Sequence, residues 1–279
     1  MRSSKPNKVV IRHRPTKQWL TPTGGYLTGY THTLNPYAGC DFACSYCYVR
    51  RMPPALFRGL PWGEWVDVKE ADPSRFAAEL ARKKRKGPVR IFMSSATDPY
   101  QRLEAKEQVT RALLEAMAAD PPDFLLIQTR SPLVTRDLDL IRRLRPHVRV
   151  SMTIETDRED VRQAFSPGTP PLAARRQACL ALREAGIPLQ IAVSPLLPCT
   201  DRFAGQLARL APDRVVLDDF FMGDGSGGKR TKQLGLQPIF ADLDAEEWYQ
   251  PDAYRRILAL LKNALPEGAV YVSQPGFLP

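Results

Sequence analysis

The stretch Gly39–Arg50, GCDFACSYCYVR, contains three of the five cysteines of the chain in a C-x3-C-x2-C spacing: Cys40, Cys44 and Cys47. Three thiolates this close in sequence can bind three corners of one inorganic cluster. Structural zinc takes four protein ligands and an ordinary four-iron ferredoxin cluster takes four cysteines, whereas Cys179 and Cys199 lie far along the chain. A [4Fe–4S] cluster held by three cysteines keeps one iron open to a small molecule, which predicts catalysis rather than electron storage.

A zinc site is the alternative interpretation of this spacing, with His13 or His32 as the fourth ligand. Five cysteines in 279 residues are too few for a disulfide scaffold, and their clustering is typical of a metal site in a reducing compartment. Residues 1–15, MRSSKPNKVVIRHRP, lack the apolar segment of a secretory signal. We therefore expect a cytoplasmic protein.

The composition is that of a folded globular chain, with 43% hydrophobic and 25% charged residues. It excludes bulk disorder, collagen and a coiled-coil rod. No apolar run approaches the roughly 18 residues needed to span a bilayer, so no membrane partner is expected. The length fits one large domain or two ordinary ones, and we predict one domain over residues 1–279, acting as a monomer.

The positive charge is concentrated near the N-terminus. The whole chain has a net charge of +10, but residues 1–90 hold 17 Lys and Arg against 6 Asp and Glu, a net of +11. Residues 91–279 are nearly balanced, with 23 against 24. Such a concentrated field favours a polyanionic partner, most commonly nucleic acid, although solubility alone is the other explanation.

Short apolar runs alternate with helical stretches along the middle of the chain. The helices include Glu104–Ala119 and Leu172–Ala185, and this alternation favours a parallel sheet covered by helices. With a first strand near Tyr30–Pro36, the pattern gives six βα units, too few for a closed eightfold barrel. We predict an α/β fold, an open partial (β/α)6 barrel, with further strands at Val89–Met93, Phe124–Gln128, Val148–Ile154, Leu189–Val193 and Val215–Leu217.

The two ends of the chain differ from this pattern. Residues 1–30 are basic and rich in turn formers, and we predict an irregular arm in front of a core over residues 31–220. Residues 221–279 are predicted to close the same core, with a flexible loop at Gly223–Gly228, a helix near Ala245–Ala264 and a strand at Ala269–Ser273.

The cysteine motif, with the aromatic Tyr46 just before the last cysteine, resembles that of the radical S-adenosylmethionine (SAM) superfamily. Residues 166–195, SPGTPPLAARRQACLALREAGIPLQIAVSP, and residues 92–104, FMSSATDPYQRLE, resemble matching regions of the spore photoproduct lyase family, a group of DNA repair enzymes. The likeness covers roughly residues 30–220. It implies a partial barrel and a lyase-like enzyme that repairs a photoproduct-type lesion in DNA.

The resemblance also implies two cofactors, a [4Fe–4S] cluster and SAM. In this superfamily SAM chelates the open iron, one electron from the reduced cluster breaks its sulfonium C–S bond, and a 5′-deoxyadenosyl radical abstracts hydrogen from the substrate. The electron implies a low-potential donor of the flavodoxin or ferredoxin type.

The same resemblance implies cofactor-binding residues, most of them at the carboxyl ends of predicted strands, where ligand sites of parallel barrels collect. Tyr46 would contact the adenosyl part of SAM, Arg130 would pair with the methionine carboxylate, and Ser151 matches a ribose-contacting position. Arg175 is either a further cofactor residue or a solvated helix residue. Hydroxyls that can bond the methionine amino group belong to Ser94, Ser95 and Thr97.

Hydrogen transfer is where the sequence departs from the family pattern. The family has a hydrogen-relaying tyrosine at the position of Tyr48 and a hydrogen-donating cysteine at the position of Ser95. A serine O–H bond is much stronger than a thiol S–H bond, so Ser95 cannot replace that donor. Cys199, just after the fifth predicted strand, is the predicted substitute, and a plain loop cysteine is the alternative.

Two basic groups are candidates for nucleic-acid contact. Arg82, Lys83, Lys84, Arg85 and Lys86 end a predicted helix, where cations also suit the helix dipole. Lys229, Arg230 and Lys232 follow the glycine-rich loop. We weigh three functions: radical chemistry on a nucleic acid, radical chemistry on a peptide or small molecule, and a non-enzymatic metal-binding nucleic-acid protein.

Overall fold

The computed structural model describes residues 9–222 and 225–279. Residues 1–8 of the predicted arm, and Gly223 and Asp224 of the predicted loop, lie outside the described residues. The described residues form these strands: β1 (Val10–Arg14), β2 (Leu20–Pro22), β3 (His32–Leu34), β4 (Tyr37–Ala38), β5 (Trp65–Lys69), β6 (Arg90–Met93), β7 (Phe124–Thr129), β8 (Val148–Thr153), β9 (Leu189–Val193), β10 (Arg214–Leu217) and β11 (Val270–Val272).

One sheet of eight strands has the order β11-β10-β9-β8-β7-β6-β3-β2. Neighbouring strands are parallel except β2, which pairs antiparallel with β3. Within residues 9–222 and 225–279 this sheet is open, with β2 and β11 as its edges. The predicted open α/β fold is confirmed. The central strand β9 is buried along its whole length, as expected of a parallel strand covered on both faces.

Helices connect the strands and pack on the sheet, and the pairs α2–α4, α4–α5 and α8–α11 are in contact. None of the helices in the described part of the chain is long and apolar enough to cross a membrane. The α-helices are α1 (Pro53–Leu56), α2 (Pro73–Lys84), α3 (Glu104–Glu107), α4 (Val109–Ala119), α5 (Leu138–Arg143), α6 (Glu159–Phe165), α7 (Leu172–Glu184), α8 (Phe203–Ala208), α9 (Lys229–Lys232), α10 (Gln237–Ala241) and α11 (Tyr254–Ala264). Short 3-10 turns lie at Tyr48–Arg51, Pro132–Asp137, Glu246–Trp248 and Gln274–Phe277.

The predicted helix Glu104–Ala119 is interrupted at Gln108, whose φ is +52°. The cause is the buried Glu104 side chain, which accepts hydrogen bonds from the amides of Thr110 and Arg111 at 2.9 and 3.2 Å. A carboxylate at this position satisfies the free N–H groups of a new helix. Glu104 therefore starts α4 as a separate element.

The predicted helix Ala245–Ala264 is also shorter than expected. Its first part is the 3-10 turn Glu246–Trp248, and α11 begins only at Tyr254. Pro251 lies between them. It lacks an N–H group and disfavours helical geometry at the preceding residue, which separates the two parts.

The prediction of an irregular arm is wrong for residues 10–22. β1 pairs in parallel with β5 in a three-stranded sheet with β4, and β2 extends the main sheet. The amides of Trp19 and Leu20 donate to the Glu79 carboxylate at 2.9 and 3.2 Å, and both side chains are buried. β1 could not be predicted from the sequence, because all five of its residues are exposed and therefore show no alternation of apolar and polar residues.

Candidate active site

The cysteine loop, residues 39–47, follows β4 and is fixed by its surroundings. A Cβ at Gly39, where φ is +84°, would lie 2.4 Å from the Trp65 carbonyl oxygen, so glycine is required there. The Arg50 guanidinium donates to the carbonyls of Ala43 and Cys44 at 2.7 and 2.9 Å, and the Ser45 amide donates to the carbonyl of Phe165 at 2.8 Å. The fold therefore holds the backbone that carries the three thiols.

All three cysteines line one cavity of about 480 Å³, here called the central cavity. It lies at the carboxyl ends of the parallel strands, since residues that follow β6, β7, β9 and β10 line it together with the cysteine loop. Burial raises the pKa of the Cys47 thiol to about 11 and also raises the pKa of Cys40 and Cys44. Binding to iron would displace these protons, because the thiolate is the metal ligand.

The central cavity fits a cluster with a bound organic ligand. Ser94 and Gln128 line it, and their side-chain oxygens, Ser94 Oγ and Gln128 Oε1, are shielded from solvent and have no hydrogen-bond partner among the described residues. Ser94 also has a φ of +73°, a strained value for a residue with a side chain. Buried polar groups are nearly always satisfied, so these two atoms are suited to a polar ligand in the cavity.

The geometry does not supply the fourth ligand of the zinc alternative. His13 Nε2 lies 2.9 Å from Glu107 Oε2 and His32 Nδ1 lies 2.8 Å from the Thr31 hydroxyl, and neither histidine lines the central cavity. In the described ranges, no three His, Cys, Asp or Glu side chains are arranged around a single ion. This arrangement is compatible with a four-iron cluster, because each of its cysteines binds a different iron and the three thiols do not surround one ion.

Glu155 is the centre of the polar network beside the cysteine loop, and the sequence alone did not single it out. Its Oε1 accepts from the Tyr46 hydroxyl at 2.6 Å and from Arg130 Nε at 2.8 Å, and its Oε2 accepts from Arg175 Nη1 at 2.7 Å. Burial would raise the pKa of Glu155, but Arg175 and Arg130 lower it to about 2. The sequence feature that could have identified Glu155 is its position, two residues after β8, at the carboxyl end of a buried strand.

Arg130 lines the central cavity as predicted. Its amide donates to Asp98 Oδ2 at 2.8 Å, and its guanidinium carbon lies 5.8 Å from the centre of the Tyr46 ring. The hydrogen bonds that described residues make with Arg130 use only its amide and Nε. The terminal nitrogens therefore keep their donors for a ligand carboxylate.

Four other predicted residues line the central cavity: Tyr46, Tyr48, Ser95 and Thr97. The Tyr48 hydroxyl donates to the Ser95 carbonyl. The Thr97 hydroxyl donates to the Gly39 carbonyl at 2.6 Å, so it holds the cysteine loop in position. Asn35 Nδ2 donates to Ser95 Oγ at 3.3 Å.

Ser151 and Arg175 are predicted cofactor residues that do not line the central cavity. Ser151 is fully buried within the sheet and accepts from Gln190 Nε2 at 3.0 Å. Arg175 is also fully buried, which excludes the solvated alternative, and donates to Glu155, to Thr169 and to two backbone carbonyls. Arg175 therefore contacts Glu155 from the side away from the central cavity lining.

Cys199 also lies outside the central cavity, so the structure does not bring this predicted hydrogen donor together with the three cysteines. Ser194 and Pro195, directly after β9, line the cavity. Beyond them the chain turns toward the segment after β8, where the Leu197 amide donates to the Glu155 carbonyl at 3.0 Å and the Pro198 carbonyl accepts from Thr156 Oγ1 at 2.6 Å. Cys199 consequently lies among Asp157, Arg158, Asp201 and Arg256.

The two basic groups lie at opposite ends of the sheet. Residues 82–86 end α2 and precede β6, so they lie at the amino ends of the parallel strands, away from the central cavity. Lys84 there bonds the carboxylate of Asp120 and the carbonyl of Pro121. Arg230, in contrast, lines the cavity, and its neighbours Lys229 and Lys232 in α9 are exposed.

The rest of the wall of the central cavity is here called the far side. It includes Tyr26 and Thr28 near the N-terminus, Asp218 and Asp219 after β10, and Gln274 near the C-terminus. Asp218, after β10, is almost fully buried, and burial raises its pKa to about 7. It is hydrogen-bonded to Tyr26 and Ser273, which bond each other at 2.8 Å. Gln274 Nε2 donates to the Thr28 hydroxyl at 2.9 Å. These contacts join the N- and C-terminal segments beside the cysteine loop.

The radical SAM superfamily model matches residues 34–199. The chain belongs to the radical SAM superfamily. Its members use a [4Fe–4S] cluster and SAM, and the cysteine loop and central cavity are the parts of this chain that fit them.

Relatives of this chain include two uncharacterized proteins. MJ0683 of Methanocaldococcus jannaschii is 33% identical over 192 residues, which are 69% of this chain and 70% of that protein. Rv2578c of Mycobacterium tuberculosis is 30% identical over 246 residues, 82% of this chain and 72% of that protein.

Solved structures show the same fold in proteins that bind different molecules. Spore photoproduct lyase complexed with dinucleoside spore photoproduct has a TM-score of 0.66 at 16% identity, covering 94% of this chain and 81% of that one. SuiB of Streptococcus suis bound to its precursor peptide SuiA has a TM-score of 0.51 at 12% identity, covering 76% of this chain and 46% of that one.

Proposed function

We propose that this radical SAM enzyme acts on nucleic acid as a lyase-like repair enzyme for a photoproduct-type lesion. The cofactors, when bound, supply hydrogen abstraction through an adenosyl radical. The observation that carries the proposal is the contact between Tyr48 and Ser95 within the cavity of the three cysteines. These two positions match the hydrogen-relaying tyrosine and the hydrogen-donating cysteine of the spore photoproduct lyase family.

In this proposal the cofactor residues have distinct tasks. Arg130 pairs with the methionine carboxylate, Ser94 accepts from the methionine amino group, and Tyr46 packs beside the adenosyl part. Arg175 and Glu155 hold Tyr46 and Arg130 in these positions. Tyr48 relays hydrogen, because Ser95 has no weak bond to hydrogen and Cys199 is outside the central cavity.

The charge distribution supports a polyanionic substrate. Arg230 lines the central cavity, with exposed Lys229 and Lys232 beside it. Lysine and arginine side chains at the entrance can contact phosphates and release counterions. The run Arg82–Lys86 is left out of this interface, because it lies at the other end of the sheet.

A peptide or small-molecule amine is the second candidate substrate. Asp218 and Asp219 both line the far side of the central cavity. In their ionised form these carboxyl groups would repel a phosphate group, whereas a substrate ammonium group would favour that form and pair with it. The shared fold of SuiB bound to its precursor peptide supports the same candidate.

Anaerobic reconstitution followed by two assays separates these candidates. With dithionite as reductant, we expect conversion of the lesion in ultraviolet-irradiated oligonucleotides, detected by mass spectrometry, and no conversion of unirradiated ones. Binding of DNA should weaken with salt, with a log–log slope of about −0.9 per phosphate contacted.

Matched neutral variants locate the interface. The pair Lys229→Gln and Lys232→Gln should reduce the salt slope by about 1 per lost phosphate contact, while Arg82→Gln with Lys86→Gln should leave it unchanged. A protein with an intact cluster and no affinity for DNA or RNA at low salt would contradict the nucleic-acid proposal and favour the peptide or amine substrate.

A further inference from the structure

We propose that the outer face of the cysteine loop is the docking surface for an acidic protein that donates one electron. The surface is a groove, here called the outer groove, lined by the turn after Tyr48, by α1 and by residues 234–239. The inference rests on the reductive cofactor chemistry of the superfamily and is independent of the proposed nucleic-acid substrate.

The reaction needs an external electron for each SAM that is reductively cleaved. The electron enters the cluster, and its transfer to the sulfonium group breaks one C–S bond. Outside the cysteine loop, the described residues contain only the separate cysteines Cys179 and Cys199, which cannot hold a second cluster. The electron must therefore come from another molecule that approaches the cysteine loop.

The outer groove provides that approach. Ser45, inside the cysteine motif, lines the groove. Trp62 lines both the groove and the central cavity, so one indole ring forms part of the partition between them. Electron tunnelling weakens steeply with distance, and the cysteine loop and this ring are part of the layer between a donor in this groove and the cavity.

The apolar character of the surface indicates a protein partner. Phe57 is 86% exposed and Leu56, which lines the groove, is 53% exposed, the two highest values among large exposed apolar side chains in the described chain. The groove continues over Leu60, Leu234 and Ile239. Adjacent exposed apolar residues mark interaction sites, and phenylalanine and arginine are enriched in protein interfaces.

The charge of the surface indicates an acidic partner. Arg50 and Arg51 line the outer groove, and none of the described residues that line it is Asp or Glu. Such complementarity accelerates encounter, and redox complexes typically use small interfaces of this kind.

The test compares two reductants on the full-length reconstituted protein. Reduced flavodoxin, regenerated by its NADPH-dependent reductase, is the acidic protein donor, and dithionite is the small donor that needs no docking surface. We expect Phe57→Ala and Arg51→Glu each to lower flavodoxin-driven SAM cleavage about tenfold. The dithionite-driven rate should not change. Flavodoxin affinity, measured by calorimetry, should fall by a similar factor.

The control variants are Leu180→Ala, an exposed apolar residue on α7, and Arg85→Glu, an exposed arginine at the end of α2. Both should keep the flavodoxin-driven rate. Unchanged flavodoxin affinity and rate in both Phe57→Ala and Arg51→Glu would overturn the inference. Loss of DNA affinity in Phe57→Ala with an unchanged flavodoxin-driven rate would also overturn it, and would assign the surface to nucleic acid. Failure of the wild type with dithionite would overturn the reductive chemistry itself.

Discussion

Glu155 and Asp218 are buried carboxyl groups that follow β8 and β10, the two strands that flank β9, and their pKa values shift in opposite directions. Two arginines contact Glu155, and they lower its pKa to about 2 against the effect of burial. Asp218 has hydroxyl partners and the neighbouring Asp219, and burial raises its pKa to about 7. The cysteine loop with Tyr46, Arg130 and Glu155, here called the cofactor side, therefore holds a carboxylate that keeps its charge, whereas Asp218 on the far side keeps a proton up to about pH 7.

The contrast teaches where charge compensation is needed in this enzyme. A buried carboxylate is stable only when cations or several donors compensate its lost hydration. Arg130 and Arg175 compensate the charge of Glu155. The same carboxylate bonds Arg130 and Tyr46, which line the central cavity. Asp218 instead joins the N- and C-terminal segments through neutral hydrogen bonds.

The largest expected effect is loss of the iron–sulfur cluster, and with it the whole function of the cofactor side. Changing Cys40, Cys44 or Cys47 to Ala should remove most of the iron and all SAM cleavage, because two thiolates do not hold the cluster firmly. Iron analysis and detection of 5′-deoxyadenosine measure both. The control is Cys179→Ala, a core residue on α7, which should keep iron and cleavage. Four irons and active SAM cleavage in a variant that lacks all three cysteines would contradict the assignment of these cysteines as the cluster ligands.

The second prediction removes the charge of Glu155. Glu155→Gln leaves Arg175, which is fully buried, without its only carboxylate partner among the described residues, and should cost about 3–5 kcal/mol of unfolding free energy. Affinity for SAM should also fall, because Arg130 and Tyr46 lose their common acceptor. Urea denaturation and calorimetry measure the two effects.

The control for Glu155 is Glu115→Gln, whose carboxylate is 53% exposed and pairs with Arg111 on the surface, and it should cost about 1 kcal/mol or less. The pH dependence has a definite sign. The folded pKa of Glu155, about 2, is below its usual value of 4.5, so its contribution is present above pH 4.5 and is lost as the pH falls toward 2. Equal losses in the two variants would contradict the assigned role of Glu155.

The third prediction tests the opposite sign at Asp218. The folded state holds a proton at this group up to about pH 7, whereas the unfolded state releases it near pH 3.8. Its contribution is therefore greatest at low pH and is lost as the pH rises from about 3.8 to 7, by up to about 4 kcal/mol. Asp218→Asn, which mimics the protonated acid, should remove this dependence. Identical pH profiles of wild type and variant between pH 4.5 and 7.5 would contradict the comparison.

Sequence alone predicts the cofactor side better than the far side, because the two are encoded differently. The three cysteines and Tyr46 lie within eight residues, and Arg130 directly follows a strand that its apolar residues reveal. The far side joins Tyr26, Asp218 and Ser273, which only the completed sheet brings together. Glu155 and the helix break at Gln108 were missed for a related reason, since each depends on contacts with distant or buried partners and not on a local pattern.

The smallest expected effect concerns Cys199, for which the sequence suggests a catalytic role and the structure does not. Cys199→Ala should leave iron content, SAM cleavage and the product unchanged, because the thiol lies among surface charges outside the central cavity. Tyr48→Phe is the informative partner variant: it lacks the hydroxyl that bonds the Ser95 carbonyl, so it should still cleave SAM but alter the ratio of products. Mass spectrometry of products formed in deuterated water compares the two variants. Altered products from Cys199→Ala, with normal products from Tyr48→Phe, would mean that the segment after Pro195 moves into the cavity during the reaction and would return Cys199 to the role of hydrogen donor.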